Sequence, residues 1–132
     1  MNNSQLIALA VEARKKSYSP YSGFAVGAAL LCKDGSVYAG CNIENSAFSP
    51  TNCAERTAFF KAVSEGKRDF VKIAVVGGKA DADVPESHCP PCGVCRQVMK
   101  EFCTGDFEII MARTPGDYKS MTLSDLLPES FG

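Results

Sequence analysis

The chain has 132 residues, about the size of one ordinary domain, and residues 1–132 are read as a single unit. Its 14 Lys and Arg against 15 Asp and Glu leave a formal net charge of -1, which supplies no basic face for a polynucleotide and disfavours nucleic acid as a partner. A hydrophobic content of 45% excludes disorder as the main state, and the longest apolar runs, Phe24 to Cys32 and Val71 to Gly78, are too short to cross a bilayer.

The chain opens on Met-Asn-Asn-Ser-Gln, without the basic start and long apolar core of a secretory signal, so a cytoplasmic location is expected. Residues 4 to 16 carry Leu6, Ile7, Ala10, Val11 and Ala13 at helical spacing, with Arg14, Lys15 and Lys16 suited to the negative end of that helix. Pro20 and Gly23 mark a loop. Two strand-like runs follow, Val26 to Cys32 and Val37 to Asn42. The Asp34-Gly35 pair between them signals a hairpin whose turn residues both tolerate positive φ. After a polar loop from Ile43 to Asn52, residues 53 to 65 read as a helix with Ala54, Ala58, Phe59, Ala62 and Val63 on its apolar stripe. Thr51 or Asn52 is its expected cap and Gly66 its stop.

Val71 to Val76 has the continuous apolar character of a strand buried on both faces. Lys79 to Pro91 is polar and contains proline, and reads as a surface loop. Residues 93 to 103 form the next helical pattern, Phe107 to Met111 the next strand, and Thr122 to Leu127 a short helix. Strands alternating with helices imply crossovers, a parallel portion of sheet and helices on both faces. With the opening hairpin, the sheet is mixed and the class is α/β.

The chain has 7 cysteines. An odd number in a chain read as unexported argues for metal binding or catalysis over a disulfide framework. Cys53-Ala54-Glu55-Arg56 and Pro91-Cys92-Gly93-Val94-Cys95 each lie at the start of an expected helix, where backbone N–H groups favour thiolates. Cys92 and Cys95 can share one metal, and Cys53 can supply a third sulfur. Three ligands leave the fourth tetrahedral position of zinc open, the catalytic pattern rather than the structural one. Such a position would hold water, whose pKa zinc lowers from about 15.7 to about 7. Glu55 lies two residues beyond Cys53, off the ligand face of the helix, and so is placed to move protons rather than to bind metal. Arg56 could donate to the thiolates and offset their charge.

These motifs resemble the signature of the zinc-dependent cytidine deaminases: Cys53-Ala54-Glu55 with Pro91-Cys92-x-x-Cys95. The resemblance runs through most of the chain in order. Pro20-Tyr21-Ser22-x-Phe24-x-Val26-Gly27-Ala28-Ala29-Leu30 is similar to the family's early segment. Gly40-Cys41-Asn42-Ile43-Glu44-Asn45 is similar to its nucleoside-binding segment. Cys95-Arg96-Gln97 and Leu126-Leu127-Pro128-x-x-Phe131 match as well. The resemblance implies a three-layer α/β/α fold with a mixed, roughly five-stranded sheet. It makes Cys53, Cys92 and Cys95 the ligands of one Zn²⁺ per subunit and Glu55 the proton shuttle, with Arg56 behind the sulfurs. Phe24 and Ala54 would contact the nucleoside, Asn42 and Glu44 its ribose, and Phe131 the base in a neighbouring subunit of a homotetramer. The implied reaction is hydrolytic deamination of cytidine and deoxycytidine in pyrimidine salvage. Glu44 would accept from sugar hydroxyls and repel a phosphate, which favours free nucleosides over nucleotides.

The sequence departs from the common pattern at Phe48, where Tyr is frequent, at Pro90, where Ser or Thr is frequent, and in a long loop carrying Cys89. Other readings stand beside this one. Cys89, Cys92 and Cys95 with His88 could form a closed zinc knuckle in a non-enzymatic binding module, but that leaves Glu55 without a role. A redox dithiol would belong to a different strand order, and the closest enzymatic rival is a deaminase of a cytosine nucleoside antibiotic. Cys32, Cys41 and Cys103 read as small hydrophobes, and His88 as a solvated loop residue. Phe59 and Phe60 read as core, and Arg96 and Gln97 as cross-links within the domain. Asn42 and Glu44 could equally satisfy loop backbone groups.

Overall fold

The computed structural model describes residues 1–132. Nine elements follow one another: α1 (Asn3–Arg14), β1 (Phe24–Cys32), β2 (Val37–Cys41), α2 (Ala54–Ser64), β3 (Phe70–Lys79), α3 (Gly93–Phe102), β4 (Glu108–Thr114), β5 (Asp117–Thr122) and α4 (Leu123–Leu126). The five strands form one sheet in the order β2-β1-β3-β4-β5. Only β3 and β4 are parallel, joined by the crossover through α3, and the other three pairings are antiparallel.

Helix α1 starts at a capping box in which Asn2 and Gln5 satisfy one another's backbone N–H groups. Its buried stripe is Leu6, Ile7, Ala10 and Ala13, which packs with Ala29, Leu31, Ala74, Val76, Ile110 and Ala112 on one sheet face. Arg14 does not serve the helix end from solvent, as its position suggested. It is buried and donates to the carbonyls of Ala25, Lys79 and Ala82. The opposite face carries the larger core under α2, α3 and α4, built around Phe59, Leu30, Ile73, Met99 and Ile109. Phe59 sits against Phe70, Phe107 and Phe102, with ring centroids 5.1, 6.0 and 6.3 Å away. Phe60, expected in the core with it, is exposed, because neighbouring helical residues point about 100° apart.

The hairpin turn is tighter in its demands than the Asp-Gly pair suggested. Only Gly35 has positive φ (91°), in a three-residue loop closed by Cys32 N to Ser36 O at 2.8 Å, while Asp34 accepts from Ser36 N. The capping expectation for α2 is corrected too. Cys53 is the N-cap and makes no side-chain cap bond. Thr51 instead accepts from Asn45 N, and the Asn52 amide donates to Thr57. Gly40 lets α2 lie close on β2, since a Cβ there would come within 2.6 Å of Ala54 O. Strand β5 has no apolar alternation. It is an edge strand whose side chains are half-buried or exposed, and it pairs with β4 from Glu108–Thr122 to Thr114–Asp117. No helix is long and apolar enough to cross a membrane.

Candidate active site

Strands β2 and β3 are not neighbours in the sheet. They flank β1, and both run antiparallel to it. They therefore point the same way, and the helices that follow them, α2 and α3, both begin at one edge of the sheet. The first strand starts at that same edge with Phe24, paired to Lys79 at the end of β3. Here a cleft of about 320 Å³ opens, lined by Phe24, Val26, Asn42, Glu44, Cys53, Ala54, Glu55, Cys89, Pro90 and Cys92, with Ser22, Thr51 and Asn52.

Cys53 stands at the N-cap position of α2 and Cys92 at that of α3, where Cys92 Sγ accepts from Cys95 N. The Sγ atoms of Cys53, Cys92 and Cys95 lie within 4.8 Å of one another. Cys53 to Cys92 is 3.7 Å and Cys92 to Cys95 is 3.3 Å. A zinc ion with bonds of about 2.3 Å to sulfur spaces tetrahedral ligands about 3.8 Å apart, so this donor set fits it with small adjustment. Cys89 is not in the cluster, and the His88 ring turns to Asp117, with Nε2 3.0 Å from Oδ1. The knuckle of Cys89, Cys92, Cys95 and His88 is therefore not formed, and the His88 ring is hydrogen-bonded to Asp117 rather than free in the loop.

Arg56, one turn beyond Cys53, donates from Nη2 to Cys53 Sγ at 3.3 Å. Its Nε is buried without a partner. The Cys53 pKa is brought down to about 5, chiefly by the hydrogen bond from the Cys95 thiol and then by Arg56. The same contact, with burial, pushes Cys95 up. Burial also pushes the Cys89 thiol up to about 11, which leaves it neutral and unreactive at ordinary pH.

Glu55 is 4% exposed. Burial raises its carboxyl pKa to about 7, and the neighbouring Cys53 thiolate adds to the rise. A carboxyl that sits near neutrality beside a thiolate cluster, open to a cleft, is suited to take and return a proton.

Asn42 and Glu44 are both buried, and their loop roles are real. Asn42 Oδ1 accepts from Ser17 Oγ at 2.5 Å and Val26 N at 2.9 Å, and its amide donates to Phe24 O at 2.8 Å. Glu44 accepts from Tyr21 N at 2.9 Å, from Ser22 N at 3.0 Å and from the Ser22 hydroxyl. The Ser22 hydrogen bonds hold the Glu44 pKa below the usual carboxylate range. By donor and acceptor count, Asn42 keeps one N–H and Glu44 about one lone pair free for a ligand.

Phe131 is 82% exposed and outside the cleft of its own chain; its carbonyl accepts from Gln97 Nε2 at 3.1 Å. Arg96 donates to Pro91 O at 2.8 Å and Leu126 O at 2.7 Å, the cross-linking role expected of it. Phe48 is exposed near Tyr21 with a φ of 43°, a backbone region L-residues rarely adopt. Sequence reasoning assigned no site role to Val26, Thr51 and Asn52. Val26 reads as one more strand hydrophobe, and polar loop residues carry no spacing signal.

The family model for the cytidine and deoxycytidylate deaminase zinc-binding region matches residues 1–111. The chain belongs to the cytidine and deoxycytidylate deaminase family. Among its relatives, the cytidine deaminase of Sporosarcina psychrophila is 54% identical over 131 residues, covering 99% of this chain and 92% of that protein. That of Halalkalibacterium halodurans is 54% identical over 131 residues, covering 99% and 95%. The crystal structure of cytidine deaminase from Burkholderia pseudomallei superposes with a TM-score of 0.90 at 44% identity, covering 99% of this chain and 100% of that one. For this deaminase-family member the mixed five-stranded sheet with helices on both faces is thus the fold of its solved relatives.

Proposed function

We propose that this deaminase-family chain hydrolyses cytidine and deoxycytidine to uridine and deoxyuridine, with release of ammonia, as a step of pyrimidine salvage. The observation that carries the reading is the buried Glu55 carboxyl beside the Cys53, Cys92 and Cys95 sulfurs at a cleft that also presents Asn42 and Glu44. Cys53, Cys92 and Cys95 would hold one zinc ion per chain, which when bound supplies a water activated near neutral pH. Glu55 is placed to take a proton from a water in the cleft and give it to N3 of the base, which would make C4 electrophilic. Once the water oxygen is bonded to C4, Glu55 would carry the remaining proton from that oxygen to the amine nitrogen as the C4–N bond breaks, so that water and cytidine become uridine and ammonia. One positioned acid–base group contributes on the order of 10²- to 10⁴-fold. Arg56 offsets thiolate charge that would otherwise weaken the ion as an acid.

Binding follows from the remaining wall. Phe24 and Ala54 contact the nucleoside, while the free Asn42 N–H and the free Glu44 lone pair take ribose hydroxyls. The Glu44 charge repels a phosphate at the same sugar, which excludes dCMP and polynucleotides. The whole chain acts as one domain, in the cytoplasm, and assembles as a homotetramer in which Phe131 reaches a neighbour's base. The Phe131 ring, exposed and outside the cleft of its own chain, supports that reading. The test is an absorbance assay of purified protein with cytidine, before and after a chelator. Loss of cytidine absorbance that the chelator abolishes and added zinc restores is expected. No turnover of cytidine or deoxycytidine by zinc-loaded protein would overturn the reading.

A further inference from the structure

We propose that Arg113 and Asp117, on the β4–β5 hairpin, are positioning residues that set one wall of the substrate cleft by clamping residues 80–91 against the sheet. The substrate named in the test rests on the cytidine reading above; the clamp itself rests on geometry. Residues 80–91 contain no helix or strand, yet they supply Cys89 and Pro90 to the cleft and lead directly into Cys92. A polar loop with so little structure of its own needs outside anchors to hold a binding wall in place.

The anchors fall in order along the segment. At its start, Arg14 Nη2 donates to Lys79 O at 2.6 Å and Ala82 O at 3.1 Å. In the middle, Arg113 Nε donates to Pro85 O at 2.9 Å. Pro85 is fully buried over Gly78, where an added Cβ would lie 2.8 Å from Pro85 Cα. Near its end, Asp117 joins two partners: Arg113 Nη1 at 2.5 Å from one oxygen, and His88 Nε2 at 3.0 Å from the other. Cys89 then sits over Gly77, where a Cβ would come within 2.8 Å of its sulfur. The paired glycines at the end of β3 make room for this packing, and the two side chains on the neighbouring hairpin hold it down.

The chain beyond His88 transmits that placement. It runs Cys89-Pro90-Pro91-Cys92, and each proline fixes its own φ near -65° and restricts the residue before it. Displacing His88 therefore moves Cys89 and Pro90 as a unit. Cys92 is held independently, because Arg96 ties Pro91 O and the Cys92 sulfur accepts from Cys95 N. Glu55 stands on α2, away from the clamp. The Asp117 contacts are partly solvent-exposed, so charge attraction there is screened and the clamp acts by geometry. Loss of the clamp should thus loosen the fit of the nucleoside while sparing the metal and the proton shuttle.

The test compares Asp117→Ala, Asp117→Asn, His88→Ala and wild type as zinc-loaded protein. For Asp117→Ala we expect the KM for cytidine to rise roughly 5- to 20-fold, the range set by losing one or two hydrogen bonds, with kcat within about twofold. Zinc per chain should match wild type. Amide hydrogen exchange in residues 80–90 should quicken by roughly tenfold, with α2 unchanged. Asp117→Asn, which keeps the shape and an acceptor, should restore most of the KM. His88→Ala removes only the outer bond and keeps the test available if Asp117→Ala does not fold. Unchanged KM and unchanged exchange in both alanine variants would overturn the clamp, as would a fall in kcat at constant KM. If wild-type protein does not turn over cytidine, the substrate reading fails, and exchange in residues 80–90 alone decides for or against the clamp.

Discussion

Replacing Glu55 by Gln should remove a pH dependence from the stability of the zinc-stripped protein. Burial raises the folded pKa of Glu55 from the ordinary 4.5 to about 7, so the folded state holds this proton more tightly than the unfolded chain does. A raised folded pKa stabilises the fold fully below pH 4.5, and that contribution is lost as pH rises through 7. Between pH 5 and pH 8 the loss amounts to roughly 2.5 kcal/mol, because one pKa unit corresponds to about 1.4 kcal/mol. Gln keeps the shape of the side chain and does not titrate. The assay is urea unfolding of both reduced, chelator-treated proteins at several pH values. The stability of Glu55→Gln relative to wild type should grow by about 2 to 3 kcal/mol from pH 5 to pH 8. Parallel stability curves would show that the Glu55 environment is not the desolvated one described, and would remove the reason for its use as a shuttle near neutrality.

Three further outcomes are expected. Cys53→Ala, Cys92→Ala and Cys95→Ala should each lose zinc, measured by atomic absorption, while Cys89→Ala retains it; the reverse pattern would refute the ligand set. Arg56→Ala should keep zinc and lower kcat by about 10- to 100-fold, as is usual for groups behind metal ligands, and a turnover number unchanged within error would remove Arg56 from the mechanism. Phe131→Ala should weaken kcat/KM for cytidine by roughly 5- to 150-fold through lost base stacking. Exchange of Phe131→Ala chains with Glu55→Ala chains should restore activity above the sum of the parents, and hybrids that show no gain would place Phe131 outside a neighbour's site.

Periodicity was enough for the elements whose burial is one-sided. The Leu6, Ile7, Ala10 and Ala13 stripe of α1 and the Ala58, Phe59 and Ala62 stripe of α2 lie in the core as the spacing indicates. It failed for β5, whose Asp117-Tyr118-Lys119-Ser120-Met121-Thr122 sequence has nothing to bury, because an edge strand is held by its ladder with β4 rather than by a core. It also ended β3 too early, at Val76. Gly77 and Gly78 continue the strand, and Cys89 and Pro85 pack where their side chains would be. The cysteine cluster was legible because two short motifs sit at helix starts, where spacing fixes direction. The commitments of Asn42 and Glu44 to Ser17, Val26, Tyr21 and Ser22 were not, since loop hydrogen bonds depend on a path that no local pattern encodes. Arg14 shows the same limit, a basic residue at a helix end whose partners lie on two other segments.

The separation of metal holding from proton transfer is tested most directly by one paired measurement on Glu55→Ala, zinc per chain and cytidine turnover on the same sample. A full complement of zinc with turnover reduced by at least about 10²-fold is expected. Zinc lost together with activity would make Glu55 a ligand or a structural support. Zinc and turnover both retained would show that protons move without it.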